Sequence, residues 1–139
     1  MLMLDTNILS EMMRSEPERK IADWIVRQPS NALFTAAVCQ AEILSGLAIM
    51  PSGRRRDELE EAVRAMFAED FDGRVLPFDT EAAAAYAEIF AARRKLGRPS
   101  GTVDLMLAAI ARVHGARVVT RNVADFEGVG VSVVNPWDM

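Results

Sequence analysis

Short apolar runs of strand length alternate with helix-length segments along the whole chain, and that alternation limits the fold more than any other feature of the sequence. The runs are Met1–Leu4, Ala32–Thr35, Val75–Phe78, Arg117–Thr120 and Val131–Val134. Between them the spacing predicts helices over Ile8–Met13, Glu16–Gln28, Ala36–Met50, Asp57–Phe71, Thr80–Leu96 and Val103–His114. Strands that alternate with helices predict an α/β domain, a parallel sheet covered by helices on both faces. Pro77 places the third run toward an edge of the sheet, because proline cannot donate to a ladder. Helical periodicity turns Ile21, Trp24 and Ile25 inward on the second helix, and Val38, Ala41, Leu44 and Leu47 inward on the third. Glu42 lies just off that last face.

The chain has 139 residues, the length of one ordinary domain, and no linker or internal repeat divides it, so residues 1–139 are read as a single unit. No apolar run approaches the roughly 20 residues needed to span a bilayer, and the first residues lack the basic start and cleavage site of a signal peptide. A cytoplasmic protein is expected. The single cysteine, Cys39, excludes an internal disulfide, and the single histidine, His114, makes a Cys/His nucleophile pair a poor choice. A net charge of −4 argues against nucleic-acid affinity from overall charge. Local basic runs exist at Arg54-Arg55-Arg56 and at Arg93-Arg94-Lys95 with Arg98, where a solvated helix face is the expected setting.

The chemistry-bearing candidates are acids. Asp5 ends the first apolar run, where an α/β sheet offers its crevice to ligands. Glu42 stands on a helix among Val38, Cys39, Ser45 and Gly46, small and uncharged neighbours with no basic partner one turn away. Asp104 falls in the first turn of a helix and Asp125 just after the fourth run. Each also has a purely structural reading: Asp5 and Thr6 as helix caps, Asp104 as a complement to a helix N-terminus, Asp125 as a cap or solvated loop acid. If the four converge, their repulsion raises some of their pKa values unless a cation is present, and the natural cation is Mg²⁺ or Mn²⁺, which takes oxygen ligands. The chain has no nucleotide-binding Gly/Lys loop, no Gly-x-Ser-x-Gly elbow and no zinc-type Cys/His spacing.

Asp5-Thr6-Asn7-Ile8-Leu9-Ser10, Ala41-Glu42-Ile43 with Gly46, Val103-Asp104 through Ala111, and Val119-Thr120-Arg121-Asn122-Val123-Ala124-Asp125-Phe126 resemble PIN-domain proteins, in the VapC and FitB branch of bacterial toxins. Val75–Asp79 and Val134–Trp137 also look like that branch, so the similarity spans essentially the whole chain. The resemblance implies a three-layer PIN-like domain with strand order 3-2-1-4-5. It implies a Mg²⁺-dependent endoribonuclease, the toxin of a type II toxin–antitoxin pair, that hydrolyses RNA phosphodiesters with a metal-activated water. It further implies a homodimer, a VapB- or FitA-like antitoxin and, through that antitoxin, operator DNA.

On this reading Asp5, Glu42, Asp104 and Asp125 are the catalytic and metal-holding groups, with Thr6, Asn7, Ser10, Thr120 and Asn122 supporting them. The last motif leaves Asn122 and Asp125 competing for the fourth place, and Asp125 ranks first because an amide brings no formal charge. A phosphatase with an aspartate nucleophile is disfavoured, since position 7 is Asn7 where that chemistry wants a second Asp. The other alternative is a regulatory module whose acidic pocket works with an antitoxin and DNA without significant turnover.

Overall fold

The computed structural model describes residues 1–139 and contains five strands: β1 (Leu2–Leu4), β2 (Leu33–Ala36), β3 (Val75–Leu76), β4 (Arg117–Val119) and β5 (Val133–Val134). They form one sheet in the order β3-β2-β1-β4-β5, every pair parallel. β1 is central and buried at every position, which is why Leu2-Met3-Leu4 shows no polar alternation. β3 is an edge strand, and Pro77 follows its last paired residue. The chain leaves β1 toward β2 and β3, then crosses back to place β4 on the other side of β1. The carboxyl ends of β1 and β4 therefore flank the point where connections diverge, and a crevice opens there.

Six helices surround the sheet: α1 (Thr6–Met12), α2 (Arg19–Val26), α3 (Ala37–Ala48), α4 (Arg54–Ala65), α5 (Thr80–Lys95) and α6 (Thr102–His114). α6 buries Leu105, Leu107, Ala108, Ala109, Ile110 and Ala111, nearly its whole circumference, because it is packed among α5, α3 and β4. Asp79 caps α5 by accepting from the Ala82 amide at 2.9 Å. α5 and α6 are stopped by Gly97 and Gly115, whose φ of +67° and +64° only glycine adopts without strain. No helix is long and apolar enough to cross a membrane.

Four sequence expectations shift. α2 begins at Arg19 rather than Glu16, because the Glu11 carboxylate accepts the Glu18 amide at 2.6 Å and holds Glu18 outside the helix with ψ of 124°. The Asp57–Phe71 helix starts earlier, at Arg54, and widens into a π-helical turn at Met66–Asp70. The buried stripe of α3 is Cys39, Ile43 and Leu47, while Leu44 is 45% exposed. This helix is apolar on most sides, so periodicity alone selects no face. Arg93 is not on a solvated surface: it is buried, although Arg94, Lys95 and Arg98 are exposed. Arg54 and Arg56 do lie on an ionic helix face, paired to Glu58 and Glu60 one turn on.

Candidate active site

Asp5 is the first residue past β1, and its amide continues the ladder to the Val119 carbonyl at 3.0 Å. Asp5 is 3% exposed. Thr120 occupies the equivalent position past β4 and is also buried. Its hydroxyl donates to Asp5 Oδ2 at 2.7 Å and accepts from Asn7 Nδ2 at 3.2 Å and from the Asn122 amide at 3.0 Å, so one threonine ties three segments together. Asp5 Oδ1 accepts the Thr6 amide at 2.7 Å, which makes Asp5 a cap of α1 as well as a crevice acid.

Thr6 Oγ1 donates to Glu42 Oε1 at 2.6 Å and fixes the acid of α3 beside the start of α1. Asp104 comes from the first turn of α6 and is partly buried. Asp125 lies on a 3₁₀ turn, Val123–Phe126, that follows β4. That turn is held from outside the motif: the buried Arg93 Nη1 donates to the carbonyls of Ala124 at 3.2 Å and Glu127 at 2.8 Å, and Ser100 Oγ donates to the Asp125 carbonyl at 2.9 Å. Neither residue was a sequence candidate. Arg93 could have been found, since it lies four residues after Ile89 and eleven after Ala82 and so shares their buried stripe.

Electrostatics binds the four acids into one group. Burial, above all, holds the Asp5 carboxyl above the usual carboxylate range, and Glu42 and Asp125 push the same way, against the hydrogen bonds from Thr120 and Thr6. Asp104 is pushed up to about 6, by burial first and then by Asp5, Asp125 and Glu42 in turn. No cation acts on either group. The Cys39 thiol, buried against the same acids, is pushed up to about 12, chiefly by burial, and stays a thiol at neutral pH.

Two expected members stand apart. Ser10 is exposed and lines a cleft of about 530 Å³ between α1 and α4, with Met13, Arg14, Arg55 and Leu59. It makes no hydrogen bond to the acids and faces α4 instead. Asn122 is exposed and enters the network through its backbone amide alone.

A divalent cation suits the donor set, which is all oxygen, anionic and without a basic side chain among the carboxylates. The carboxylates are not drawn to ligand spacing around one point. Asp5, Glu42, Asp104 and Asp125 are the groups that could hold such an ion.

The PIN domain family model matches residues 2–130. Plasmid stability protein StbB of Pseudomonas syringae pv. tomato is 41% identical over 138 residues, 99% of each chain. VapC ribonuclease Y4jK of Sinorhizobium fredii is 38% identical over 138 residues, again 99% of each chain. Among solved structures, FitAB bound to a DNA fragment superposes with a TM-score of 0.93 at 32% identity, covering 100% of this chain and 97% of the other.

Proposed function

The chain belongs to the PIN-domain family, and from that membership we propose that it is a metal-dependent endoribonuclease, the toxin of a bacterial type II toxin–antitoxin pair. The observation that carries the reading is the crevice itself: four acids from β1, α3, α6 and the turn after β4 share one field and have no protein cation to balance it. Mg²⁺, or Mn²⁺ in its place, bound there would polarise a water and the scissile phosphodiester.

The residues of the chain prepare that chemistry. Asp5, Glu42, Asp104 and Asp125 supply the oxygen donors. Thr120 and Thr6 hold Asp5 and Glu42 in fixed rotamers, so the anionic oxygens face the crevice before any ligand arrives. Asn7 keeps its amide nitrogen toward Thr120 and its carbonyl oxygen toward the Arg121 amide, which fixes its own orientation. Asp104, with its carboxyl near 6, gives up a proton when a cation enters at mildly acid pH.

The partners in this reading are a VapB- or FitA-like antitoxin, operator DNA reached through that antitoxin, and a second copy of the chain. The groove lined by Val38, Ala41, Glu42, Ser45, Val103 and Met106, beside the acids, gives a second copy an apolar surface to cover. Cleavage of tRNA and ribosomal RNA fragments, followed with and without Mg²⁺, tests the activity directly. Mg²⁺-dependent scission that Asp5→Asn abolishes is the expected result. Absence of any cleavage by a folded, metal-loaded protein would leave the regulatory-module alternative.

A further inference from the structure

An acidic crevice on a protein of net charge −4 repels a polyanion, so RNA needs a cation fixed at the rim as well as one among the acids. Most arginines are already engaged. Seven pair with carboxylates, and Arg74 and Arg93 donate to backbone carbonyls. Of the five that remain, Arg27, Arg55, Arg94, Arg117 and Arg121, Arg121 alone is seated on an aromatic ring. Its guanidinium makes no ion pair and sits over the Trp137 ring, 5.0 Å from the centroid. A cation held on an aromatic face keeps its N–H edge free for an acceptor.

The platform is rigid. Trp137 donates its indole N–H to Glu18 Oε2 at 2.7 Å and its amide to Asn135 Oδ1 at 3.0 Å, while its carbonyl accepts from Lys20 Nζ at 3.0 Å. The neighbouring acids are occupied: Glu18 by that indole, and Glu11 by the Glu18 amide and Arg14. Arg121 helps to hold the Glu11 carboxyl low, but only as a minor influence behind those contacts. The residue also borders the crevice, because Arg121 follows Thr120 directly and its amide donates to Asn7 Oδ1 at 3.3 Å. Arg117, also exposed, opens the same strand at its amino end, away from the crevice.

We propose that Arg121, seated on Trp137 at the rim of the crevice, binds a phosphodiester of the RNA strand outside the scissile position. The inference rests on the ribonuclease reading and adds to it a fixed point for the substrate strand. A preorganised, desolvated-on-one-face guanidinium loses little freedom when it donates to the phosphate, and its planar N–H pair matches two phosphate oxygens.

The test is binding of a fluorescein-labelled single-stranded oligouridine RNA, by anisotropy over a salt series, to the non-cleaving Asp5→Asn protein with Mg²⁺ present. Adding Arg121→Ala should weaken binding roughly tenfold, as for one charge-assisted hydrogen-bonded contact. It should also reduce the slope of log affinity against log salt by about 0.7, one single-strand phosphate contact. Arg121→Lys should keep the slope, and Arg117→Ala should leave affinity and slope unchanged. An unaltered slope in Arg121→Ala overturns the contact, and so does an equal loss in Arg117→Ala, which would reveal bulk charge alone. Equal weakening by Arg121→Ala and Arg121→Lys, with equal loss of melting temperature, would make Arg121 only a brace for Trp137. These failures are separate from failure of the wider reading: parent protein that neither retains nor cleaves RNA removes the ribonuclease, and the contact with it.

Discussion

Thr120 and Asp5, separated by 115 positions in the sequence, share a 2.7 Å hydrogen bond that joins the ends of two neighbouring parallel strands. Because the same hydroxyl accepts from Asn7 and from the Asn122 amide, Thr120→Val strips three groups of a partner while keeping the side-chain shape. The melting temperature should fall, with a cost of about 1–3 kcal/mol for buried polar groups left unsatisfied. The Asp5 carboxyl, already above the usual range through burial, should rise further once the Thr120 bond is gone. RNA cleavage should drop at least tenfold, of the order expected for a misplaced electrostatic group, and Thr120→Ser should restore most of it. Single-turnover cleavage and thermal melts on the three proteins check this; full activity in Thr120→Val would show that the bond orients nothing of consequence.

Asp104 makes the pH dependence of stability run against the usual direction for a carboxylate. Its folded pKa, raised to about 6 by burial and by the acids around it, lies above the unfolded value, so its contribution is present at low pH and is lost as pH rises through 6. Metal-free protein should therefore lose melting temperature between mildly acid and neutral pH, and Asp104→Asn should lose less. At neutral pH the variant should be the more stable of the two by several degrees. Mg²⁺ or Mn²⁺ should reverse the ordering, stabilising the parent by mass action and doing so less below pH 6, where the ion must displace a proton. Differential scanning fluorimetry across pH, with chelator or with each ion, reads all three effects. A parent and variant with parallel profiles would remove Asp104 from the acid group.

Much of this was legible in the sequence, for reasons that differ from residue to residue. The order of elements followed from the alternation of short apolar runs with helical periods, and Asp5 was conspicuous because an apolar run of strand length ends in it. Strand order 3-2-1-4-5 came from family resemblance, since pairing between β1 and β4 depends on contacts far apart in sequence. The inward face of α3 is not legible in the sequence, because Val38, Ala41 and Leu44 are as apolar as Cys39, Ile43 and Leu47. The motif places Ser10 with the acids, yet in α1 it lines another cleft. Arg93 was hidden by its neighbours Arg94 and Lys95, which make a solvated run of what is in fact one buried cation and two exposed ones.

Glu11 gives a contrasting acid limb. Its carboxyl is held low, first by the Glu18 amide and then, against the opposing effect of burial, by Arg14. A depressed folded pKa contributes stability above the unfolded value that is lost as pH falls through the folded one. Glu11→Gln retains one acceptor for Glu18 but loses the charge, and Glu11→Ala loses both. Urea midpoints followed from neutral pH down through the carboxylate range should rank parent above Gln above Ala, with the differences shrinking as the medium becomes acid. The start of α2 should loosen in the same order, read as faster amide exchange at Ile21 and Ala22, whose amides bond to the Glu18 carbonyl. Ala as stable as the parent at neutral pH would show that the loop between α1 and α2 needs no such anchor.

The last motif decides between Asp125 and Asn122. Asp125 acts on both Asp5 and Asp104, whereas the Asn122 side chain is exposed and contributes to the network only through its backbone. Asp125→Ala should lose roughly 10²-fold in cleavage rate, as removal of a well-placed electrostatic group does, and Asn122→Ala should lose much less. Asn122→Asp should recover part of the loss in the Asp125→Ala background, but in the parent it adds a like charge to a crowded site and should gain nothing. The position of Asp125 depends in turn on Arg93, which draws the carbonyls of Ala124 and Glu127 together from α5. Arg93→Met keeps much of the volume and releases both carbonyls. The turn should then loosen, so that cleavage falls together with Asp125→Ala but does not fall further in the double variant, because both changes remove the same group from the crevice. Arg93→Lys, which can still reach one carbonyl, should be intermediate. Single-turnover cleavage at saturating Mg²⁺ for the single and double variants, each shown to be folded by circular dichroism, measures the coupling. Multiplicative losses for Arg93→Met and Asp125→Ala would separate the clamp from the acid, and near-parental cleavage by Asp125→Ala with Asn122→Ala inactive would hand the fourth place to the amide.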